Sequence, residues 1–415
     1  MISAFDKSTI LPLIALVLAA CACSSSASVG PDAGTDVDTD ADTDTDTDTD
    51  VDIWEWSCSL PLDTTCDEFE EMPSEFNMQV NGAYFDNLTF IHASRSPMLI
   101  LAERATDDGP EPVVVLHRGS PDEFVQVGVV PPPAEPLGAI DVASDQYLHF
   151  GADGLNAAAD VIGYHAVALL CGASSCALYG LAVDENAEPV GLEAIPGGAV
   201  PLAESRAMTW IPPIVGDDVY IPGRACVAGD GIACFDEGEG IWSDMAIASG
   251  GALNAIDIEF DEDGLPTWLW AAGEGGRILT NQDHTWAEID SGTSMDLTAI
   301  SAHDGVWAAG GASGFVFGDG EHAIPCESES AYTAMFVHTM YAISETIFSL
   351  TALAADHVVE IRAAAAGIDA CVRPNDFAGT PRNADYFWGG SDAIFGYALT
   401  TGGLYGRMEY PTGVE

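Results

Sequence analysis

The chain has 415 residues, of which 48% are hydrophobic, so it is long enough for one large domain or two ordinary ones with a substantial core. Acidic residues outnumber basic residues 66 to 11, and the formal net charge is −55. Such a charge repels phosphate backbones and anionic headgroups, which argues strongly against a nucleic acid partner. It leaves two interpretations: a highly soluble surface, or a face that binds cations or a basic partner.

The N-terminus carries an export signal. Residues Ile10 to Ala20 are apolar, a run too short to span a bilayer but of the right length for a signal-peptide core. The following Leu18-Ala19-Ala20-Cys21 resembles the lipobox of bacterial lipoproteins, which implies a signal peptide over 1–20 and a lipid on Cys21. The same resemblance, with Ala22 in place of an aspartate, implies the outer membrane or cell surface of a Gram-negative bacterium. An ordinary secretory signal with an incidental cysteine is the alternative.

An acidic spacer follows the signal. Every second residue from Asp36 to Asp52 is aspartate, with Thr, Val or Ala between. This charge density prevents burial and favours an extended chain, so we predict a disordered linker over 21–53. Calcium binding is the alternative for the run, but calcium loops require a glycine turn and a converging bidentate acid, which the run does not contain.

Beyond Cys21 and Cys23, the exported chain has an even number of cysteines, which favours disulfides over metal ligation. They are Cys58, Cys66, Cys171, Cys176, Cys226, Cys234, Cys326 and Cys371. Their spacing predicts the bridges 58–66, 171–176, 226–234 and 326–371. The chain lacks the paired CxxC spacing of zinc sites.

The rest of the chain contains copies of a repeated sequence segment. Segments from Leu253 and Leu297, 44 residues apart, both begin Leu-x-Ala-Ile and both reach Trp-Ala-Ala-Gly, at Trp270 and Trp307. Fainter copies begin at Leu88, Leu137, Met208, Met340 and Asp385. Each copy reads as short alternating strands between Gly, Pro and Asp turns, and a four-stranded unit of about 45 residues is typical of a propeller blade. We therefore predict an all-β β-propeller over 54–415 with seven blades. Six or eight blades are the alternatives, because the wide interval after Leu137 has room for another unit.

One stretch carries a family resemblance. Residues 273–311 resemble BNR/Asp-box and YCF48-like propeller repeats through Thr285-Trp286, Ser291-Gly292-Thr293 and Trp307. The resemblance implies a propeller fold, in which the box is a structural hairpin, and it adds the hypothesis of an assembly factor. The box itself is altered, since Asn281 and Asp283 align with its aspartate and glycine.

Motifs for catalysis are absent from the sequence. The glycines at 273–276 precede a strand pattern, whereas a dinucleotide loop precedes a helix. No nucleophile elbow and no HxH or HExxH pair occurs, and the arginines are scattered. We therefore predict no catalytic, cofactor-binding or metal residues, with calcium as the one alternative ligand.

These observations lead to one main hypothesis: a monomeric, membrane-anchored, surface-displayed propeller that binds a protein or a glycan without catalysis. An extracytoplasmic glycan hydrolase or lyase with an axial active site is the enzyme alternative, and it requires arginines converging with a tyrosine and an acid.

Overall fold

The computed structural model describes residues 56–58, 78–79, 88–93, 99–107, 109–117, 124–128, 138–144, 166–183, 189–211, 214–215, 220–221, 223–245, 250–260, 266–282, 285–338, 346–364, 367–374, 379–388, 394–401 and 403–409. The signal peptide, Cys21, the acidic spacer and Cys66 lie outside these residues. Within them, no helix has the length and apolar character needed to cross a membrane.

The described residues form thirty strands. Strand β1 (Met78–Gln79) comes first in the chain but belongs to the last sheet. Sheet 1 comprises β2 (Leu88–Ala93), β3 (Leu99–Thr106), β4 (Gly109–His117) and β5 (Phe124–Gly128). Sheet 2 comprises β6 (Gly138–Ser144), β7 (Ala166–Cys171), β8 (Cys176–Val183) and β9 (Pro189–Ala199). Sheet 3 comprises β10 (Ser205–Ile211), β13 (Arg224–Gly229), β14 (Ile232–Asp236) and β15 (Ile241–Met245), and it is interrupted by a separate pair, β11 (Ile214–Val215) and β12 (Tyr220–Ile221).

The remaining sheets follow the same plan. Sheet 4 comprises β16 (Leu253–Phe260), β17 (Pro266–Gly273), β18 (Ile278–Thr280) and β19 (Ala287–Ile289), with a 3₁₀ turn at Glu274–Gly276. Sheet 5 comprises β20 (Leu297–His303), β21 (Val306–Gly311), β22 (Gly314–Gly318) and β23 (Ala323–Glu327). Sheet 6 comprises β24 (Tyr332–His338), β25 (Thr346–Ala354), β26 (His357–Ala364) and β27 (Gly367–Pro374). Sheet 7 comprises β28 (Pro381–Trp388), β29 (Ile394–Thr400), β30 (Gly403–Glu409) and β1.

The sheets are arranged around an axis. The first strand of each four-stranded sheet contacts the first strand of the next, and β28 of sheet 7 contacts β2 of sheet 1, which closes the ring. These seven strands, here called the inner strands, are β2, β6, β10, β16, β20, β24 and β28. Antiparallel four-stranded sheets whose first strands surround an axis define a β-propeller, so the predicted fold class is confirmed. The blade number of the whole chain stays a prediction.

Sheet 7 is completed from the other end of the chain. Its order is β28-β29-β30-β1, and β1 pairs with β30 through Met78 opposite Gly406 and Gln79 opposite Tyr405. The N-terminal strand therefore holds the C-terminal sheet in the ring. The repeat pattern does not reveal this pairing, because two residues are too few to show a strand period.

The Trp-Ala-Ala-Gly copies differ in register. Leu253 pairs with Gly273, and Leu297 pairs with Gly311, so Trp270 and Trp307 are offset by one residue relative to their inner strands. A one-residue offset turns a side chain to the other face of its sheet. Trp270 and Trp307 accordingly point toward each other between sheets 4 and 5, with ring centroids 6.1 Å apart and neither side chain exposed.

One predicted repeat start differs from the structure, and the sheets bear on one alternative that the sequence left open. The pattern from Met340 predicts an inner strand, but the inner strand of sheet 6 is β24, which ends at His338. The Tyr-Thr-Ala-Met of β24 carries the same alternation as the later segment, and sequence alone does not separate them. The wide interval after Leu137 separates β6 from β7 within sheet 2, so the described strands in this interval do not make an additional sheet.

The structure confirms two predicted disulfides and changes the others. Cys171 pairs with Cys176, and Cys226 pairs with Cys234 across β13 and β14. The predicted 58–66 and 326–371 pairings are wrong, because Cys326 on β23 pairs with Cys58, 268 residues away in sequence. Cys371 is also disulfide-bonded. Close spacing predicts a bridge where two strands of one hairpin hold the cysteines opposite each other, and it fails where the chain returns from a distance.

The Cys58–Cys326 bridge fastens the segment before β1 to sheet 5. Trp56 lies 6.1 Å from Phe317, measured between ring centroids, and both Trp56 and Cys58 pack against the core between sheets 5 and 6. Indole burial and the disulfide thus hold the same short segment.

We expect the Cys58→Ser/Cys326→Ser variant to unfold at lower denaturant concentration than the wild type. A crosslink over so long a separation restricts the unfolded chain, and its loss typically costs about 2–5 kcal/mol. Urea unfolding followed by tryptophan fluorescence measures the change.

The Cys171→Ser/Cys176→Ser variant is the control, because its bridge closes only a five-residue separation and the same entropy argument assigns it about 2 kcal/mol. Peptide mapping without reductant tests the pairing directly. A Cys58–Cys66 crosslink in the native protein would contradict the structure.

Candidate functional site

The inner strands surround the axis, where a propeller with an axial active site would hold its catalytic groups. Each inner strand is also an edge strand of its sheet, so alternate backbone N–H and C=O groups point away from the sheet and need partners. What the polar side chains of these strands contact therefore decides between a structural and a chemical role.

Asp257 on β16 shows the structural role. Its Oδ1 accepts the amide of Ile258 at 2.8 Å, and its Oδ2 accepts the amide of Ala302 on β20 at 3.0 Å. One carboxylate therefore satisfies a backbone donor on its own strand and another on the next sheet.

The same arrangement recurs along the ring. Asp141 on β6 accepts the amides of Val142 at 2.7 Å and of Met208 on β10 at 2.8 Å. Ser301 Oγ on β20 accepts the amide of Val337 on β24 at 3.2 Å. Asp141 and Ser301 are each only 5% exposed, so these bonds are shielded from water.

A second set of bonds reaches backbone carbonyls. Asn254 Nδ2 donates to the carbonyl of Leu297 at 2.7 Å, and Thr333 Oγ1 donates to the carbonyl of Pro381 at 2.6 Å. Arg206 on β10 extends this set toward sheet 4, because its Nη1 bonds Asn254 Oδ1 and Glu274 Oε1, the latter at 2.9 Å. Side-chain bonds thus connect successive sheets from sheet 2 to sheet 7.

Sheets 1 and 2 are joined by an ion pair. His92 Nδ1 on β2 lies 2.6 Å from Asp141 Oδ1. Burial opposes a positive charge on His92, but the charge and hydrogen bond of Asp141, with a smaller contribution from Asp257, outweigh it and raise the pKa of His92 above its usual value. Glu103 Oε1 adds a bond from the amide of Ala139 at 3.0 Å.

Glu259 lies on β16, two residues after Asp257, and its side chain is buried. It is 4% exposed, its Oε2 accepts Trp270 Nε1 at 2.7 Å, and its Oε1 accepts the amide of Gly305 on the β20–β21 turn at 2.6 Å. Burial raises the pKa of Glu259, while these two bonds oppose the shift. A raised acid pKa is typical of general acids, but both oxygens here are occupied by structural donors.

Tyr332, His357 and Asp356 form a chain that resembles a catalytic relay. Tyr332 OH lies 2.7 Å from His357 Nε2, and His357 Nδ1 lies 2.7 Å from Asp356 Oδ1. Tyr332 is fully buried, with Phe315 edge-on at 5.0 Å, and burial raises the pKa of Tyr332 to about 12. A nucleophile requires an accessible oxygen and a lowered pKa, and Tyr332 has neither. The hydrogen bonds that link Tyr332, His357 and Asp356 are therefore structural.

Within the described part of the chain, five arginines are held in pairs with acids rather than gathered into the substrate clamp that a sialidase-like site requires. The pairs are Arg104 with Glu111, Arg206 with Glu204 and Glu274, Arg224 with Asp236, Arg277 with Glu288, and Arg373 with Glu360. A carboxylate-binding cluster would need such guanidinium groups to be available to ligand.

The glycine loop at 273–276 is a turn between β17 and β18. Gly275 and Gly276 have φ of 68° and 79°, values that favour glycine. Ser291 Oγ donates to the carbonyl of Gly276 at 2.6 Å, and a Cβ on Gly276 would collide with the carbonyl of Thr293. The Ser-Gly-Thr of the family resemblance therefore packs against this turn as part of the scaffold.

A polar cleft lies at the rim rather than on the axis. It has a volume of about 370 Å³ and lies between the outer strands of sheet 4 and the β22–β23 turn of sheet 5. Its lining includes Thr280, Gln282, Glu288, Asp290, Gly320 and Glu321. Sequence analysis did not find this cleft, because no pattern relates a strand of one sheet to a turn of the next.

The described residues include no group of three His, Cys, Asp or Glu side chains placed to hold a metal ion. Cys21, the predicted lipidation site, lies outside the described residues.

We expect the His92→Gln substitution to reduce stability most at low pH. Because the folded-state pKa of His92 is raised, its stabilisation is complete below the unfolded value of about 6.5 and is lost as the pH rises through the folded value. The difference in unfolding free energy between wild type and variant, measured in urea from pH 5.5 to 9, should shrink with rising pH.

The His322→Gln variant is the control, since its pair with Asp319 is exposed and contributes little. A wild-type-minus-variant difference that stays constant or grows with pH at position 92 would contradict the proposed ion pair.

Comparisons with known proteins support the fold. No protein-family model matches the chain, and no curated protein sequence matches it. Solved structures do match: the chain is similar to U3-55K and to the RRP9 WD40 repeats, each with a TM-score of 0.52, 8% identity, and coverage of 81% of this chain and 99% of the other. Similarity at this identity shows the fold alone, and the chain shares the β-propeller architecture of these WD40 structures.

Proposed function

We propose that this protein is an exported, lipid-anchored propeller that binds a basic protein partner without catalysing a reaction. The observation that carries the proposal is how the polar side chains are used: the buried Asp141 and Glu259 and the partly buried Asp257 each accept backbone or indole donors from neighbouring strands. Groups held in this way support the scaffold, which leaves recognition to the surface.

The surface supports a charged partner. Among the residues whose side-chain exposure the structure describes, Ile241 is the one large hydrophobic side chain that is exposed. Glycan sites usually offer an exposed aromatic face, and apolar protein interfaces offer larger patches. The chain has 66 acidic residues against 11 basic ones, which instead favours a positively charged partner. Electrostatic steering would bring such a partner to the surface quickly.

The N-terminal sequence supports the anchored location. Cys21 would carry the lipid, and the aspartates from Asp36 to Asp52 would repel one another and extend the chain between membrane and propeller. The spacer and the propeller would then act together, because an extended tether lets a partner approach the rim of the domain.

We expect the Cys21→Ser substitution to release the protein from the outer membrane of a Gram-negative host. Loss of the thiol removes the acceptor of the lipid, so radiolabelled palmitate should no longer be incorporated and the protein should leave the membrane fraction. Cys23→Ser, two residues away, is the control and should retain both label and location. Labelling and fractionation unchanged in the Cys21 variant would contradict the anchor.

Binding of a basic partner protein can be measured on the same cells. Chemical crosslinking of the anchored wild-type protein should trap a discrete adduct with a basic protein, and the adduct should weaken as salt rises. A salt-insensitive complex with an oligosaccharide, or turnover of one, would contradict the proposed function.

A further inference from the structure

The rim cleft contains an open sheet edge. Strand β19 (Ala287–Ile289) is the last strand of sheet 4 and pairs with β18 alone, through Ala287 opposite Thr280 and Glu288 opposite Leu279. The other side of β19 carries unpaired backbone groups, as any edge strand does. Ala287 and Glu288 are exposed, so the backbone is accessible from the cleft.

The cleft walls carry negative charge. Glu288 and Asp290 come from sheet 4, and Glu321 comes from the β22–β23 turn of sheet 5, so acidic residues line the cleft on both sides. Glu288 is 58% exposed and lies 3.4 Å from Arg277, which is itself 8% exposed. A cation entering from solvent therefore meets acids first.

The floor of the rim cleft is polar, and the cleft is large enough for a short peptide segment. Thr280 is 3% exposed and lines the cleft beside Gln282. Gly320 on the opposite wall leaves space for Gln282, because a Cβ at position 320 would lie 3.2 Å from Gln282 Oε1. A volume of about 370 Å³ falls within the range of small ligand pockets and accommodates a few residues of an extended chain.

The chain itself provides a precedent for strand addition. The outer edge of sheet 7 is completed by β1, a segment remote in sequence that adds next to β30. A segment remote in sequence can therefore pair antiparallel with the outer edge of a sheet in this ring, here as the fourth strand of sheet 7.

We propose that the rim cleft binds an extended basic peptide segment of a partner protein, which pairs with β19 as a fifth strand and places Lys or Arg side chains on Glu288 and Glu321. Backbone hydrogen bonds would supply much of the affinity, and the acids would select positive charge. The inference rests on the proposed function and assigns its binding site and the class of partner.

The test uses the full chain and synthetic peptides. The probe is a fluorescent peptide of alternating Lys and Val, and its matched control carries N-methyl groups on alternate residues, which removes the backbone donors but keeps the charge. We expect saturable binding of the first peptide in fluorescence anisotropy and at least tenfold weaker binding of the second. Equal binding of both peptides would overturn strand addition.

Variants locate the site. Glu288→Gln/Glu321→Gln should weaken peptide binding about fivefold to tenfold, as expected for the loss of two charge pairs in partly exposed positions. Glu193→Gln/Glu327→Gln, which removes two exposed acids from the outermost strands of sheets 2 and 5, should change binding less than twofold. Equal effects of the two double variants would overturn the assignment to the cleft.

Two further measurements keep the test decisive. Because Glu288 also contacts Arg277, the single Glu321→Gln variant is measured as well, with its unfolding midpoint, and it should lose affinity without losing stability. Binding of a neutral oligosaccharide that competes with the peptide would overturn the choice of ligand. If the Glu288/Glu321 double variant still forms the crosslinked complex on cells, the cleft assignment fails while the proposed function stands.

Discussion

The structure depends on how the backbone N–H and C=O groups of the inner strands find hydrogen-bond partners. A strand at the axis has a sheet on one side only, so half of its N–H and C=O groups point toward the neighbouring sheet or the channel. Unsatisfied buried groups of this kind cost about 1–3 kcal/mol each. Here Asp141, Asp257 and Ser301 supply the missing acceptors, and Asn254 and Thr333 supply donors to carbonyls. The side chains that satisfy the backbone thereby also join one sheet to the next.

This constraint gives the polar side chains of the inner strands a structural role. Carboxylates, a histidine and a serine lie on the inner strands. Asp257 and Glu259 each use both oxygens on structural donors, and Asp141 also holds His92. The cleft that we propose as a binding site lies at the rim, where an edge strand and several acids meet.

Sequence predicted the fold class because the strand alternation and the 44-residue interval between Leu253 and Leu297 survive as local patterns. It did not predict the relation between sheets. Trp270 and Trp307 share a motif, yet a one-residue offset places them on opposite faces of their sheets, where they meet in one core. The local disulfides follow from hairpin spacing, whereas Cys58–Cys326 and the pairing of β1 with β30 depend on where the chain returns. The rim cleft likewise arises from residues that no local pattern connects.

The central claim is that amides on the inner strands are bonded to side chains of the preceding sheet. Hydrogen exchange resolved to single residues tests it most directly, at the amides of Met208, Ala302 and Val337. The account predicts that these three amides exchange as slowly as the ladder amides of the same strands. When Asp257 is replaced by alanine, the Ala302 amide should accelerate together with the Ile258 amide, while those of Met208 and Val337 stay slow. Fast exchange of all three in the wild-type protein, with the ladder amides protected, would contradict it.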